Sequence, residues 1–152
     1  MINLLSRVFL LLALLSLLAG CGTTLESRLL HFQVDENANR NTPVAIDLVA
    51  VNEMALLQRL SRIAAWEWFG QRQQLQQDFP FHLQVWSWEV VPGDTLEPFE
   101  IPKAARQAEG LLLFARYTTP GLHRVRLGPF EELLLHLTEH ELRVRVIRQE
   151  GP

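Results

Sequence analysis

Apolar positions change their period several times along the chain. Val8 to Ala19 is apolar at every position except Ser16. Leu29–Val34 then begins to alternate, as a strand does. Asp35–Pro43 holds one small apolar residue among nine, with three asparagines and a closing proline, and reads as a loop. It is expected to join two strands of one sheet with its backbone facing water. Val44–Val51 reads as a second strand, with Val44, Ile46 and Leu48 on one face. The period then becomes helical. Asn52 is a favoured N-cap and Glu53 adds negative charge where the helix dipole favours it. Leu56, Leu57, Leu60, Ile63 and Ala64 fall within one arc of roughly 120°, which predicts a helix over 52–71. Trp66 and Phe69 lie outside that arc. Either the helix bends there or those rings meet a second surface. Gln71–Asp78 is polar and either continues the helix or frays.

Beyond Pro80 the period is two. Phe81, Leu83 and Val85 alternate with His82, Gln84 and Trp86, and Trp88 and Val90 continue the pattern of a half-buried strand. Trp86 and Trp88 share one face, which is therefore expected to be buried. Val91-Pro92-Gly93-Asp94 has the residues of a type II turn. Thr95–Ile101 is interrupted by Pro98, which points to an edge strand. Lys103–Glu109 is a connector of about one helical turn. Leu111–Tyr117 is continuously apolar at its start and reads as a central strand, and Thr119-Pro120-Gly121 turns again. His123–Leu127 alternates. Glu132–Thr138 and Glu141–Arg148 form a last hairpin. The predicted class is mainly β: a two-sheet sandwich of about eight strands with one inserted helix capping an edge or face.

The apolar run at the start is about 12 residues long, short of the roughly 20 that a membrane-spanning helix needs. A single positive charge at Arg7 precedes it and small residues close it, the order of an export signal. Leu18-Ala19-Gly20-Cys21 resembles the bacterial lipobox. The resemblance implies cleavage before Cys21, lipidation of its sulfur and acylation of its new amino group. Cys21 is the only cysteine in the chain, so no internal disulfide competes for it. Residues 1–20 are thus expected to be a lipoprotein signal peptide, 21–28 a lipidated tether and 29–150 the folded domain. Gly22 follows the cysteine where an aspartate would favour retention in the inner membrane, which implies export to the outer membrane.

Loss of Arg7 with the leader leaves 13 Lys+Arg against 17 Asp+Glu, a formal charge of −4. With no basic stripe, nucleic acid is excluded as an expected partner. There is no Gly-rich phosphate loop, no cysteine pair and no HExxH, hence no cofactor or metal motif and no expectation of an enzyme. His136 and His140 are four apart, but on a strand and turn that spacing does not align two ligands, and they read as solvent-exposed polar positions. The four tryptophans, Trp66, Trp68, Trp86 and Trp88, read as aromatic core, or alternatively as the lining of a ligand cleft.

The order of elements resembles the outer-membrane lipoproteins of type VI secretion systems, the TssJ or SciN type. The resemblance rests on the lipobox, the helical insertion after the second strand, the Pro-Gly turn of Val90-Val91-Pro92-Gly93-Asp94, the apolar stretch Gly110–Tyr117 ending in an arginine and an aromatic, and the closing strand pair. It departs from the family in its longer Trp-rich helical segment. The resemblance implies a transthyretin-like sandwich that anchors the secretion machine's membrane complex by binding the periplasmic C-terminal domain of a large TssM-type inner-membrane subunit. The loop between the first two strands is the implied contact, here Asp35, Glu36, Asn37, Asn39, Arg40 and Asn41, with Trp66 and Phe69 as the alternative surface. A different reading is a periplasm-facing lipoprotein that binds a ligand or inhibits an enzyme through a Trp-lined cleft.

Overall fold

The computed structural model describes residues 29–128 and 132–147. The expected leader, the tether with Cys21 and the end of the last hairpin at Arg148 lie outside the described residues. Eight strands run in chain order as β1 (Leu29–Val34), β2 (Val44–Val51), β3 (Leu83–Val90), β4 (Phe99–Glu100), β5 (Gly110–Arg116), β6 (Arg124–Leu127), β7 (Glu132–Leu137) and β8 (Leu142–Val146). Two helices, α1 (Met54–Leu60) and α2 (Ala65–Asp78), lie between β2 and β3. One sheet has the order β4-β1-β7-β8 and the other β3-β2-β5-β6. The first is mixed, because β1 runs parallel to β7 with Leu29 opposite Glu132 and Val34 opposite Leu137. The second is antiparallel throughout. The expected two-sheet sandwich is present.

Two apolar layers hold this arrangement. Between the sheets lie Leu30, Ile46, Leu48, Val90, Leu111, Leu113, Leu133 and Leu135, with Phe32, Trp86, Trp88 and Phe99 packed at their margin. On the outer face of the β3-β2-β5-β6 sheet, Leu56, Leu57 and Leu60 of α1 and Ala65, Trp68 and Leu75 of α2 cover Val49, Val51, Leu112 and Phe114. β2 and β5 are buried on both faces, which is why both read as nearly continuous apolar runs. The helical insertion therefore covers a sheet face. Gly110 permits the close fit: a Cβ there would lie 2.6 Å from Leu57 Cδ2.

Four expectations are corrected. The predicted helix over 52–71 is two helices, and the second runs on to Asp78. The break is tertiary in origin. The Ala65 amide donates to the Leu122 carbonyl at 2.8 Å instead of continuing α1, and Glu67 reaches back to the Ala64 amide at 3.5 Å to start a new helix. The first helix begins one residue late, with Glu53 instead of Asn52 at the N-cap, because the Asn52 amide donates to His82 O at 2.9 Å. The edge strand expected over 95–101 shrinks to Phe99–Glu100, which pairs with β1, since Pro98 has no amide to donate. The 35–43 loop joins strands of different sheets, so it crosses the end of the sandwich and carries part of its closure.

Trp86 and Trp88 face the space between the sheets but are half-buried. Trp88 meets Phe99 edge-on at 4.9 Å, and Trp86 lies 6.2 Å from the same ring. Full burial of a tryptophan is worth about 3–5 kcal/mol on truncation, so Trp86→Ala is expected to lose about 2 kcal/mol in urea titration. A loss below about 0.5 kcal/mol is the contrary outcome, with the ring contributing only surface.

Candidate functional site

The 35–43 loop is built from both sheets inward. The Asp35 amide extends the β1–β7 ladder by donating to Leu137 O at 3.0 Å, and the Asn39 amide donates to Thr138 O at 3.1 Å. Across the other side, the Gly93 amide donates to Asp35 O at 3.1 Å, from the Pro-Gly turn whose Gly93 has φ +77°. Three consecutive residues, Asn39, Arg40 and Asn41, have φ of 48°, 55° and 58°. Asparagine tolerates this left-handed region better than most residues, so the asparagines of the loop serve its shape. A short 3-10 turn spans Ala38–Arg40.

Asn39 is the keystone. It is buried, its Nδ2 donates to Pro43 O at 3.1 Å, and its Oδ1 accepts from the Thr118 amide at 2.7 Å and the Thr118 hydroxyl at 3.0 Å. Its amide is therefore committed within the chain. Asp35 is held by His136, whose Nε2 lies 2.8 Å from Asp35 Oδ1. This corrects the solvent-exposed reading of His136, which is mostly covered; His140 is well exposed. Asn37 donates to Glu139 at 3.0 Å from an exposed position. Glu36, Asn37, Arg40 and Asn41 face outward. The loop thus offers a fixed, mixed-charge surface with little ordering left to do on contact.

Beside the loop opens a cleft of about 600 Å³, lined by Asn39, Thr42 and Pro43 of the loop, Phe69 and Arg72 of α2, Glu89 of β3 and Tyr117 beyond β5, among others. Asn39 and Phe69, on the two surfaces read as alternatives from the sequence, line the same cleft. Trp66 stands outside it, 70% exposed, next to the residue that bonds to Leu122. None of the four tryptophans lines the cleft. Trp68 is buried, and Trp86 and Trp88 point between the sheets.

Sequence reasoning missed Asp47. It sits at the centre of β2, fully buried under α2, where it accepts from Trp68 Nε1 at 2.8 Å and from Arg72 Nη1 at 3.1 Å. Trp68 stacks on Phe114 at 4.9 Å and 11°, and the Arg72 guanidinium lies 5.2 Å from the Phe69 ring centre. Asp47 so fixes the helix that supplies one wall of the cleft. The signal was one carboxylate inside an otherwise apolar strand. On the opposite wall, the Tyr117 ring stacks on His123 at 4.9 Å, and burial pushes its phenol far above the usual range, so it stays neutral. No group of three His, Cys, Asp or Glu gathers in a metal-binding arrangement among the described residues.

No protein-family model matches the chain, and no curated protein matches it. Solved structures do. The type VI secretion (T6SS) lipoprotein TssJ1 from Pseudomonas aeruginosa superposes with a TM-score of 0.61 at 14% identity, over 82% of this chain and 98% of that one. Lip of Serratia marcescens, a membrane-bound component of the type VI secretion system, gives 0.54 at 14% identity, over 80% and 96%. The structure of the T6SS protein TssM C-terminal domain from EAEC includes a chain that matches at 0.51 and 12% identity, over 79% and 96%. The fold is that of the TssJ lipoproteins, at a sequence distance where the likeness establishes architecture alone.

Proposed function

We propose that this chain is a non-enzymatic lipoprotein, held in the outer membrane through acylated Cys21 and facing the periplasm. There it scaffolds the membrane complex of a type VI secretion system by binding the periplasmic C-terminal domain of a TssM-type subunit. The observation that carries this reading is the fold likeness, which extends over 98% of TssJ1. Independent support comes from the chain itself. The lipobox stands eight residues before the first strand, and the preorganised 35–43 loop projects from the sandwich end opposite that strand's start. The reading of a Trp-lined ligand cleft loses its basis, because no tryptophan lines the cleft.

The docking surface is assigned to the outward side chains of the loop, Glu36, Asn37, Arg40 and Asn41, with Phe69 across the cleft. Asp35 and Asn39 hold these in place from within. The combined variant Glu36→Ala, Asn37→Ala, Arg40→Gly and Asn41→Gly removes the outward groups and relaxes two left-handed positions. In a titration of the mature protein against the partner's periplasmic domain, it is expected to bind at least about tenfold more weakly, a change of about 1.4 kcal/mol, with an unchanged thermal melt by circular dichroism. Wild-type affinity for this variant, with loss of binding by Trp66→Ala, would move the docking surface to the start of α2. Wild-type affinity for both would remove the partner.

A further inference from the structure

All six large apolar side chains exposed among the described residues stand at the two ends of the sandwich. Trp66, Val91 and Leu122 are at the end that carries the 35–43 loop. Met54, Phe81 and Val146 are at the other. The strand register fixes which end is which. Val34, Val44 and Val90 finish or begin their strands at the loop end. Leu29, Val51, Leu83, Glu132 and Val146 do so at the opposite end. The chain therefore enters the fold at Leu29, at the end that exposes Met54, Phe81 and Val146.

Phe81 is 87% exposed, and its position is fixed. The amides of His82 and Leu83 both donate to Phe79 O, at 3.0 and 3.1 Å, closing a tight turn between α2 and β3. The Asn52 amide on His82 O brings the segment carrying Met54, itself 45% exposed, alongside that turn. A large ring held out on a closed turn has no internal contact to satisfy, and no packing inside the domain accounts for it.

The intervening segment 21–28 has eight residues, which reach at most about 29 Å fully extended. A chain acylated at Cys21 thus has its lipid within that distance of Leu29, on the side where Phe81 projects. We infer that this end of the sandwich rests on the lipid surface, with Phe81 and Met54 inserted at the boundary between headgroups and acyl chains. The inference rests on acylation of Cys21, as proposed above. The occupant is a bilayer, because the lipid of an acylated Cys21 lies within reach of this same end; Glu53 and Asp78, the charged neighbours in sequence, are both acidic and offer anionic lipid no attraction. Membrane contact there is apolar and scales with buried area rather than with anionic lipid. A surface-seated domain would hold the loop end about 26 Å further out, the length of the eight-residue β2.

The test uses the full mature lipoprotein in vesicles of phosphatidylethanolamine and phosphatidylglycerol. Phe81→Cys and, separately, Asn37→Cys are labelled with a polarity-sensitive fluorophore; acylated Cys21 offers no competing thiol. Mass spectrometry checks the acyl chains and flotation checks attachment. Emission at position 81 is expected to shift to the blue and to be quenched by brominated lipid several-fold more than at position 37, with little effect of salt. Acylated, floating protein with equal quenching at both positions overturns the inference and leaves the anchor standing. A blue shift at position 81 that brominated lipid does not quench shows a second protein copy covering the residue, and also overturns it. Absence of acyl chains removes the anchor and the inference together.

Discussion

Trp68→Ala is expected to lower unfolding stability by about 3–5 kcal/mol. The ring is fully buried between α2 and the sheet and lies flat on Phe114. Truncation removes the apolar contact, leaves a cavity and takes one of two donors from Asp47, a carboxylate with no access to water. Trp68→Phe separates these effects. It keeps most of the stacking and removes only the N–H, and a buried acceptor that loses one hydrogen bond costs about 1–3 kcal/mol. Urea titration of both variants gives the comparison, provided the slope with denaturant is unchanged. A loss below about 1 kcal/mol for the alanine variant would mean that α2 is peripheral to the folded unit, and the wall of the cleft with it.

Asn39→Ala is expected to cost about 3 kcal/mol. Three hydrogen bonds go, each worth roughly 1 kcal/mol, and alanine is disfavoured by about 1–2 kcal/mol in the left-handed region; some of this is recovered as water reaches the Thr118 amide and Pro43 carbonyl. Asn39→Gly loses the same bonds without the backbone strain, so it is expected to be milder by about 1 kcal/mol. The ordering glycine above alanine in a denaturant titration, with faster hydrogen exchange at the Thr118 amide in both, identifies Asn39 as the loop's internal brace. Equal stability of the wild type and both variants is the opposing result. Exchange of the whole 37–41 stretch for Gly and Ser would lose this brace together with buried Ala38, which is why outward residues alone are altered in the partner titration.

Much of this architecture was legible from periodicity. Alternation marked β3 and β8, the apolar face of Val44, Ile46 and Leu48 marked β2, a continuous apolar run marked β5, and the Pro-Gly turn fell where expected. These are local signals, set by which face of a strand meets the core. Features decided by distant partners were not legible. The break at residues 61–64 depends on the carbonyl of Leu122, far along the chain. The pairing of β1 with β7 joins residues about a hundred positions apart and leaves no local trace. The loop was recognised from its asparagines, but the inward role of Asn39 was not. Asn39 looks identical to Asn37 in sequence, and its bonds to Thr118 and Pro43 separate an inward amide from an outward one. Asp47 was visible as a charge within an apolar strand, yet its role needed Trp68 and Arg72 to be placed above it.

The central position and direction of β1 bear on how the domain carries load. On the function proposed above, a pull between a lipid on Cys21 and a partner gripping residues 36–41 would run along β1 from its first residue to its last. The strand is flanked by β7 along its whole length and by β4 at its start. Force applied parallel to the strand strains its cross-links with β7 together, in shear, whereas a force across the edge would unzip them singly. Tethered at one pole and gripped at the other, as proposed, the domain would be loaded in its mechanically strong direction.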